Sequence, residues 1–169
     1  VVNWLDGIPG LASGISAIAQ TAIFLLSLEQ FHVVDQSAII TLASVLAAAC
    51  IAFVLFDFYP PKLLMGDTGS MFLGFMLGSL SILAGGKMAT ALLIMGFPVL
   101  DAVFVTLRRL FSGKNPLKGD LGHLHHRLLH VGFSPREALL VNYFFCALFA
   151  VIALTLTTTL YKLIAFGGV

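Results

Sequence analysis

Five long apolar stretches, parted by short polar islands, leave this chain few ways to fold. They cover residues 11–28, 37–56, about 70–84, 88–111 and about 136–165. At a rise of about 1.5 Å per residue, most of these are long enough as helices to cross the hydrocarbon of a bilayer. The chain is 59% hydrophobic and only 10% charged, where soluble domains run about 45–50% and 25%. So much apolar area cannot be hidden inside one small globule, because surface is too large a share of a small body. The expected fold is therefore all-α: a polytopic membrane helix bundle of about five transmembrane helices, with residues 1–169 as a single membrane domain. A net charge of +1 gives no footing for bulk nucleic-acid binding. Cys50 and Cys146, both inside apolar runs, read as small buried hydrophobes rather than redox or metal-binding groups.

Punctuation supports the same division. Pro60-Pro61 bars helix between the second and third stretches, and Gly85-Gly86-Lys87 makes a turn before the fourth. Gly74 and Gly78, four apart, permit close helix contact, and Pro135 suits a first helical position. Five crossings put the residues around Asn3, the island at Lys62 and the loop 112–134 on one side of the membrane. That side holds Lys62, Arg108, Arg109, Lys114, Lys118, Arg127 and Arg136, seven of the nine Lys and Arg. By the positive-inside rule it faces the cytoplasm, with the chain in the plasma (inner) membrane. The chain opens on Val1 with no basic segment or cleavage site, so no signal peptide is expected. It reads as the C-terminal part of a longer protein whose N-terminal helices are missing.

The polar islands hold the candidate chemistry. Asp67, in Met65-Gly66-Asp67-Thr68-Gly69-Ser70, stands where the third stretch begins. A helix N-terminus offers unpaired N–H groups and partial positive charge that attract phosphate. A carboxylate there can also hold Mg²⁺, which takes one or two carboxylates together with substrate phosphates. Plain helix capping is the competing reading. Asp6, with Asn3 nearby, admits the same two readings. Asp101 lies near the middle of the fourth stretch, where an acid is expensive and normally faces protein or water; Pro98 frees a carbonyl and can kink the helix there. Asp57, Lys62 and Asp120 read by default as interfacial charges.

His123, His125 and His126 crowd into four residues. On a regular helix His123 and His126 share a face while His125 points away. An interfacial amphipathic helix, with Leu121, Leu124, Leu128 and Val131 as its apolar stripe, fits equally well. Zinc fits less well, since no cysteine lies near.

Four segments then occur in a familiar order: Asn3-Trp4-Leu5-Asp6-Gly7-Ile8, Pro60-Pro61-Lys62-Leu63-Leu64-Met65-Gly66-Asp67-Thr68-Gly69-Ser70, Phe97-Pro98-Val99-Leu100-Asp101 and His123-Leu124-His125-His126-Arg127-Leu128. Across essentially the whole chain this resembles the polyprenyl-phosphate N-acetylhexosamine-1-phosphate transferases. The His-Leu-His-His form is more like the branch that initiates surface polysaccharides with GlcNAc-1-phosphate than the branch that makes peptidoglycan lipid I. The resemblance implies transfer of a sugar-1-phosphate from a UDP-N-acetylhexosamine to polyprenyl (undecaprenyl) phosphate, with release of UMP and with Mg²⁺ as cofactor. It implies Asp67 as the metal ligand, and Asp6, Asp67, His123, His125 and His126 as catalytic residues. Asn3, Lys62, Asp101 and Arg127 would bind substrate. A homodimer is compatible with it.

The sequence departs from the family pattern in places. Pro9 stands where a second acid is usual, Leu64 where Phe is usual and Asp57 where Asn is usual. A degenerate, non-catalytic membrane scaffold or partner subunit is the alternative. The adjacent Asp-Asp pair of the family would fall before residue 1. The 169 residues alone are therefore expected to lack transferase activity, and UDP-sugar-dependent turnover by the purified chain would overturn that expectation.

Overall fold

In hydrocarbon a backbone N–H or C=O finds no water, so each apolar stretch satisfies its own polar groups by coiling into a helix. The computed structural model describes residues 2–29, 36–84, 88–111 and 124–155, which form eight helices and no strand. In chain order these are α1 (Val2–Leu5), α2 (Leu11–Glu29), α3 (Ser37–Asp57), α4 (Gly66–Leu83), α5 (Met88–Ile94), α6 (Gly96–Phe111), α7 (Leu124–Val131) and α8 (Pro135–Thr155). The all-α membrane bundle expected from composition is what the chain forms. The turn at Gly85-Gly86-Lys87, the loop from Ser112 to His123 and the end of the last stretch lie outside the described residues.

The bundle is organised around α2, which packs on α3, α8, α4 and α5. It is 72% buried, against 39% for α8 and 22% for α3. Lipid tails are as apolar as leucine, so helices gain little from hiding apolar area and much from close contact. Accordingly α2 carries Ala12, Ser13, Gly14, Ser16, Ala17, Ala19 and Ala22, most of them wholly buried. The bulky residues Leu55, Phe75 and Phe111 stay exposed on the outer helices, facing the acyl chains.

Three described helices, α2, α3 and α8, are long and apolar enough to cross a membrane. The third expected span begins earlier than read from sequence. Gly66 has φ +68°, a left-handed conformation that glycine adopts without strain, and the chain turns there directly into α4. Asp67 is thereby placed in the first turn of that helix. The fourth span, read as one stretch over 88–111, is two helices. Pro98 has no N–H to give to the Ile94 carbonyl and its ring crowds that oxygen. α5 stops at Ile94 and α6 restarts at Gly96, with the Met95 carbonyl accepting from Val99.

At the polar end, α3 stops at Asp57, just ahead of Tyr59-Pro60-Pro61. The Lys62 and Leu63 N–H groups both donate to the Phe56 carbonyl, at 2.7 and 3.2 Å, folding this loop back over the end of α3. α8 opens with Pro135 at its first position and a reciprocal cap. The Ser134 N–H donates to Glu137 Oε2 (2.7 Å), and the Glu137 N–H donates to Ser134 Oγ (3.3 Å). Arg136 Nε then donates to the Tyr59 carbonyl at 3.0 Å, fastening the start of α8 to the loop that precedes Asp67.

α2 and α8 meet where Gly14 lies under the Tyr143 ring. A Cβ on Gly14 would sit 2.2 Å from Tyr143 Cζ, a separation no packed atom tolerates. Tyr143 cannot swing away without losing the bond its hydroxyl donates to the Gly10 carbonyl. Gly14→Ala is expected to cost about 1–3 kcal/mol of stability by overpacking, measured as a lower thermal midpoint in detergent.

Candidate functional site

Three acids from three segments converge at this end of the bundle. Asp6 lies on the turn between α1 and α2, Asp57 is the last residue of α3, and Asp67 is in the first turn of α4. They are close enough to act on one another. Burial holds the Asp6 carboxyl above the usual carboxylate range, and the negative charges of Asp57 and then Asp67 push it further the same way. The Gly66 N–H, which donates to Asp6, pulls in the opposite direction. Asp6 thus takes one of the free donors at the start of α4, as an acid at a helix N-terminus should. The residue it caps belongs to another helix, and that cross-helix cap brings Asp6 beside Asp67.

Asn3 contributes the second link. Ser70, one turn after Asp67, donates its hydroxyl to Asn3 Oδ1 at 2.6 Å, which orients the Asn3 amide with its N–H groups as donors. α1 is consequently fastened to α4 at Ser70 and again at Gly66. Ser70 is wholly buried while Asp67 is exposed, so the fixed hydroxyl stands behind a carboxylate open to ligand.

The remaining sequence-predicted residues are placed unevenly. Lys62 is exposed on the folded-back loop before Asp67. Arg127 is exposed on α7, and His125 and His126 lie in the first turn of the same helix; His123 lies outside the described residues. α7 packs on α8 and its Leu128 and Leu129 rest on the core. Because Arg136 ties the start of α8 to Tyr59, the C-terminal end of α7, a short turn before α8, lies at the same end as Asp67. Asp101 is half-buried in the second turn of α6, which packs on α8 and α5. Its expected place in the middle of a continuous span is corrected by the break at Met95.

Sequence reasoning missed Asp57. It is not an interfacial charge: only 1% of it is exposed, and Ser13 Oγ donates to its Oδ2 at 2.7 Å. Ser70, Ser13 and Tyr143 were also missed as individuals. The available signals were small: a hydroxyl three residues after Asp67, and an acid closing an apolar run.

Among the described residues, no three His, Cys, Asp or Glu side chains gather closely enough to cage a metal ion. An exposed Asp67 with a second carboxylate nearby instead suits Mg²⁺, which binds through one or two carboxylates and leaves its other positions to water and phosphate. The repulsion from Asp57 and Asp67, which adds to burial in raising the Asp6 carboxyl above its usual range, is what a divalent cation would relieve. These residues fit the ion.

A polytopic helix bundle with an acidic, phosphate-suited mouth at one end is the class that fold and site define. Residues 1–85 match the model of glycosyl transferase family 4. A Bacillus subtilis (strain 168) protein, named probable undecaprenyl-phosphate N-acetylglucosaminyl 1-phosphate transferase, is 36% identical over 162 residues, covering 92% of this chain and 44% of the relative. The decaprenyl-phosphate N-acetylglucosaminephosphotransferase of Mycolicibacterium smegmatis is 37% identical over 172 residues, covering 88% and 42%. A phospho-N-acetylmuramoyl-pentapeptide-transferase of Moorella thermoacetica is 32% identical over 156 residues, covering 90% and 46%. The chain belongs to glycosyl transferase family 4, the family its four ordered motifs resemble. It spans less than half the length of these relatives.

The Asp6 environment gives a signed pH prediction. Between the ordinary carboxyl value of 3.8 and the raised value in the fold, the folded chain carries a proton that the unfolded chain has released. Stability therefore falls as pH rises through that window. Asp6→Asn is expected to flatten this fall, read as melting temperature in detergent against pH. A slope identical to that of the unaltered chain would contradict the assignment.

Proposed function

We propose that the protein transfers an N-acetylhexosamine-1-phosphate from a UDP-sugar to polyprenyl phosphate, in the synthesis of a cell-envelope polysaccharide. The P–O bond between the sugar-bearing phosphorus and UMP breaks, UMP leaves, and a new P–O bond joins that phosphorus to the lipid phosphate. The observation that carries this reading is the meeting of Asp6 and Asp67, far apart in sequence, at the N-terminus of α4 under the control of Gly66 and Ser70. The relatives' names give a decaprenyl-phosphate N-acetylglucosaminephosphotransferase and a phospho-N-acetylmuramoyl-pentapeptide-transferase, and the same class of phospho-sugar transfer suits this site.

Asp67, exposed at the α4 N-terminus, would hold Mg²⁺, with Asp6 beside it. Bound there, the ion supplies charge neutralisation for the diphosphate as the leaving phosphate takes up negative charge. Asn3, oriented by Ser70, donates hydrogen bonds to the nucleotide side of the donor. Lys62 and Arg127 offer fixed positive charge to phosphate oxygens at the same end. His123, His125 and His126 stand in the proposal as donors to the same diphosphate, a role that suits electrostatic stabilisation of developing charge. Asp101 is kept as a substrate-binding candidate on the resemblance alone. The apolar outer faces of the helices give the polyprenyl chain a hydrocarbon surround.

The mouth faces the cytoplasm in this reading, since the basic residues Lys62, Arg127 and Arg136 belong to the segments at that end, and a cytoplasmic UDP-sugar reaches it directly. Asp67→Asn removes one ligand charge while keeping size. In the full-length protein UMP release is expected to fall at least about a hundredfold, the scale for loss of one group that stabilises reaction charge. Near-normal release would remove Asp67 from the mechanism.

A further inference from the structure

Asp57 is the buried acid that the proposed reaction does not use. Its Oδ2 accepts from Ser13 Oγ at 2.7 Å, and its Oδ1 is buried with no partner among the described residues. A carboxyl group buried with one oxygen unsatisfied is costly in most settings. The location offsets part of that cost, because Ser13 is in the first turn of α2, whose N-terminal N–H groups favour a negative charge. An asparagine would accept the same hydroxyl without the charge.

Around Asp57, three helices close on one backbone turn. Ser13 Oγ also lies 3.2 Å from the Gly10 carbonyl, and the Tyr143 hydroxyl, from α8, donates to that same carbonyl. A Cβ at Gly10 would lie in ordinary contact with Leu139 Cδ1 at 3.4 Å and with the Asp57 carbonyl and Phe58 Cα at 3.5 Å, so this turn lies directly against the end of α3 and against α8. The short turn carrying Asp6 is therefore held at both ends. Asn3 is fixed to Ser70 on one side; on the other, Tyr143 holds the Gly10 carbonyl and Ser13, three residues on, is held by Asp57.

We propose that Asp57, Ser13 and Tyr143 form a buried clamp whose work is to position the Asp6 turn against Asp67, making Asp57 and Tyr143 positioning residues of the site. This rests on Asp6 being a working acid of the proposed transfer. The clamp acts through the backbone at Gly10, and it makes the geometry of the acidic mouth depend on the packing of α3 and α8 against the start of α2. A purely structural Asp57 would lower stability when replaced without moving Asp6.

The only tryptophan of the chain, Trp4, stands two residues before Asp6 and reports that turn with no need for turnover. Emission and acrylamide quenching of Trp4 are to be compared in detergent for the unaltered chain, Asp57→Asn, Asp57→Leu, Ser13→Ala and Tyr143→Phe, all at matched helicity by circular dichroism. Asp57→Leu and Tyr143→Phe are expected to shift emission to the red and raise quenching toward the value of the unfolded chain. Asp57→Asn, which keeps an acceptor for Ser13, stays near the unaltered value. In an Mg²⁺ titration followed by the same emission, Asp57→Leu raises the half-saturating concentration about tenfold or more, as loss of a residue orienting a metal ligand does. The double variant Asp57→Leu/Tyr143→Phe falls short of the product of the single effects, because both hold one turn.

Unchanged Trp4 quenching in folded Asp57→Leu and Tyr143→Phe overturns the clamp, as does an Asp57→Asn variant as loosened as Asp57→Leu. Should Asp57→Leu fail to fold, Ser13→Ala and Tyr143→Phe decide by the same measure. An unaltered chain whose Trp4 ignores Mg²⁺ counts against the metal role of Asp67, while quenching still decides the clamp.

Discussion

Charge is costly in hydrocarbon, and everything in this bundle follows from where it is allowed to remain. Many large apolar side chains stay exposed on the outer helices, while α2 lies at the centre and packs through Ala, Ser and Gly interleaved with Leu11, Ile15, Ile23 and Leu26. The acids Asp6, Asp57 and Asp67 collect at one end, where helix N-termini supply N–H groups and partial positive charge. Each of the three stands by such a terminus: Asp6 and Asp67 at α4, Asp57 at α2. The fold thus tolerates an acidic cluster that would be forbidden a few turns deeper.

The same economy explains the division of labour among the polar side chains. Ser70 and Ser13 are wholly buried and spend their hydroxyls on Asn3 and Asp57, fixing groups that face each other across helices. Asp67 and Lys62 remain exposed at the mouth, open to solvent. A rigid interior behind an open rim is the arrangement that electrostatic stabilisation of a transferring phosphoryl group favours, since fixed dipoles need no rearrangement as charge develops.

Much of this was legible in the residues. Helix class and most helix ends followed from apolar run lengths and from Pro60-Pro61 and Pro135, because each of these acts within a turn or two of chain. Membership of the transferase family was legible in four ordered motifs, and the family match and relatives bear it out. The early start of α4 was not, because it hangs on a left-handed Gly66 that a sequence does not announce. The division of the fourth span was half legible: Pro98 signalled a disturbance, but the break falls at Met95, where the missing hydrogen bond ends rather than where the proline stands. Asp57 was misread as an interfacial charge because its burial depends on Ser13 and Tyr143, which no local pattern links to it.

By itself the sequence determined that this chain is a membrane helix bundle and which family it joins. Those properties depend on local composition, on helix periodicity and on residues in fixed order. Tertiary structure alone decided that Gly66 donates to Asp6, that Ser70 orients Asn3 and that Asp57 meets Ser13. Hydrogen bonds between helices form only after packing has chosen which faces meet, and that choice is made by close contact over the whole bundle rather than by any one stretch of it.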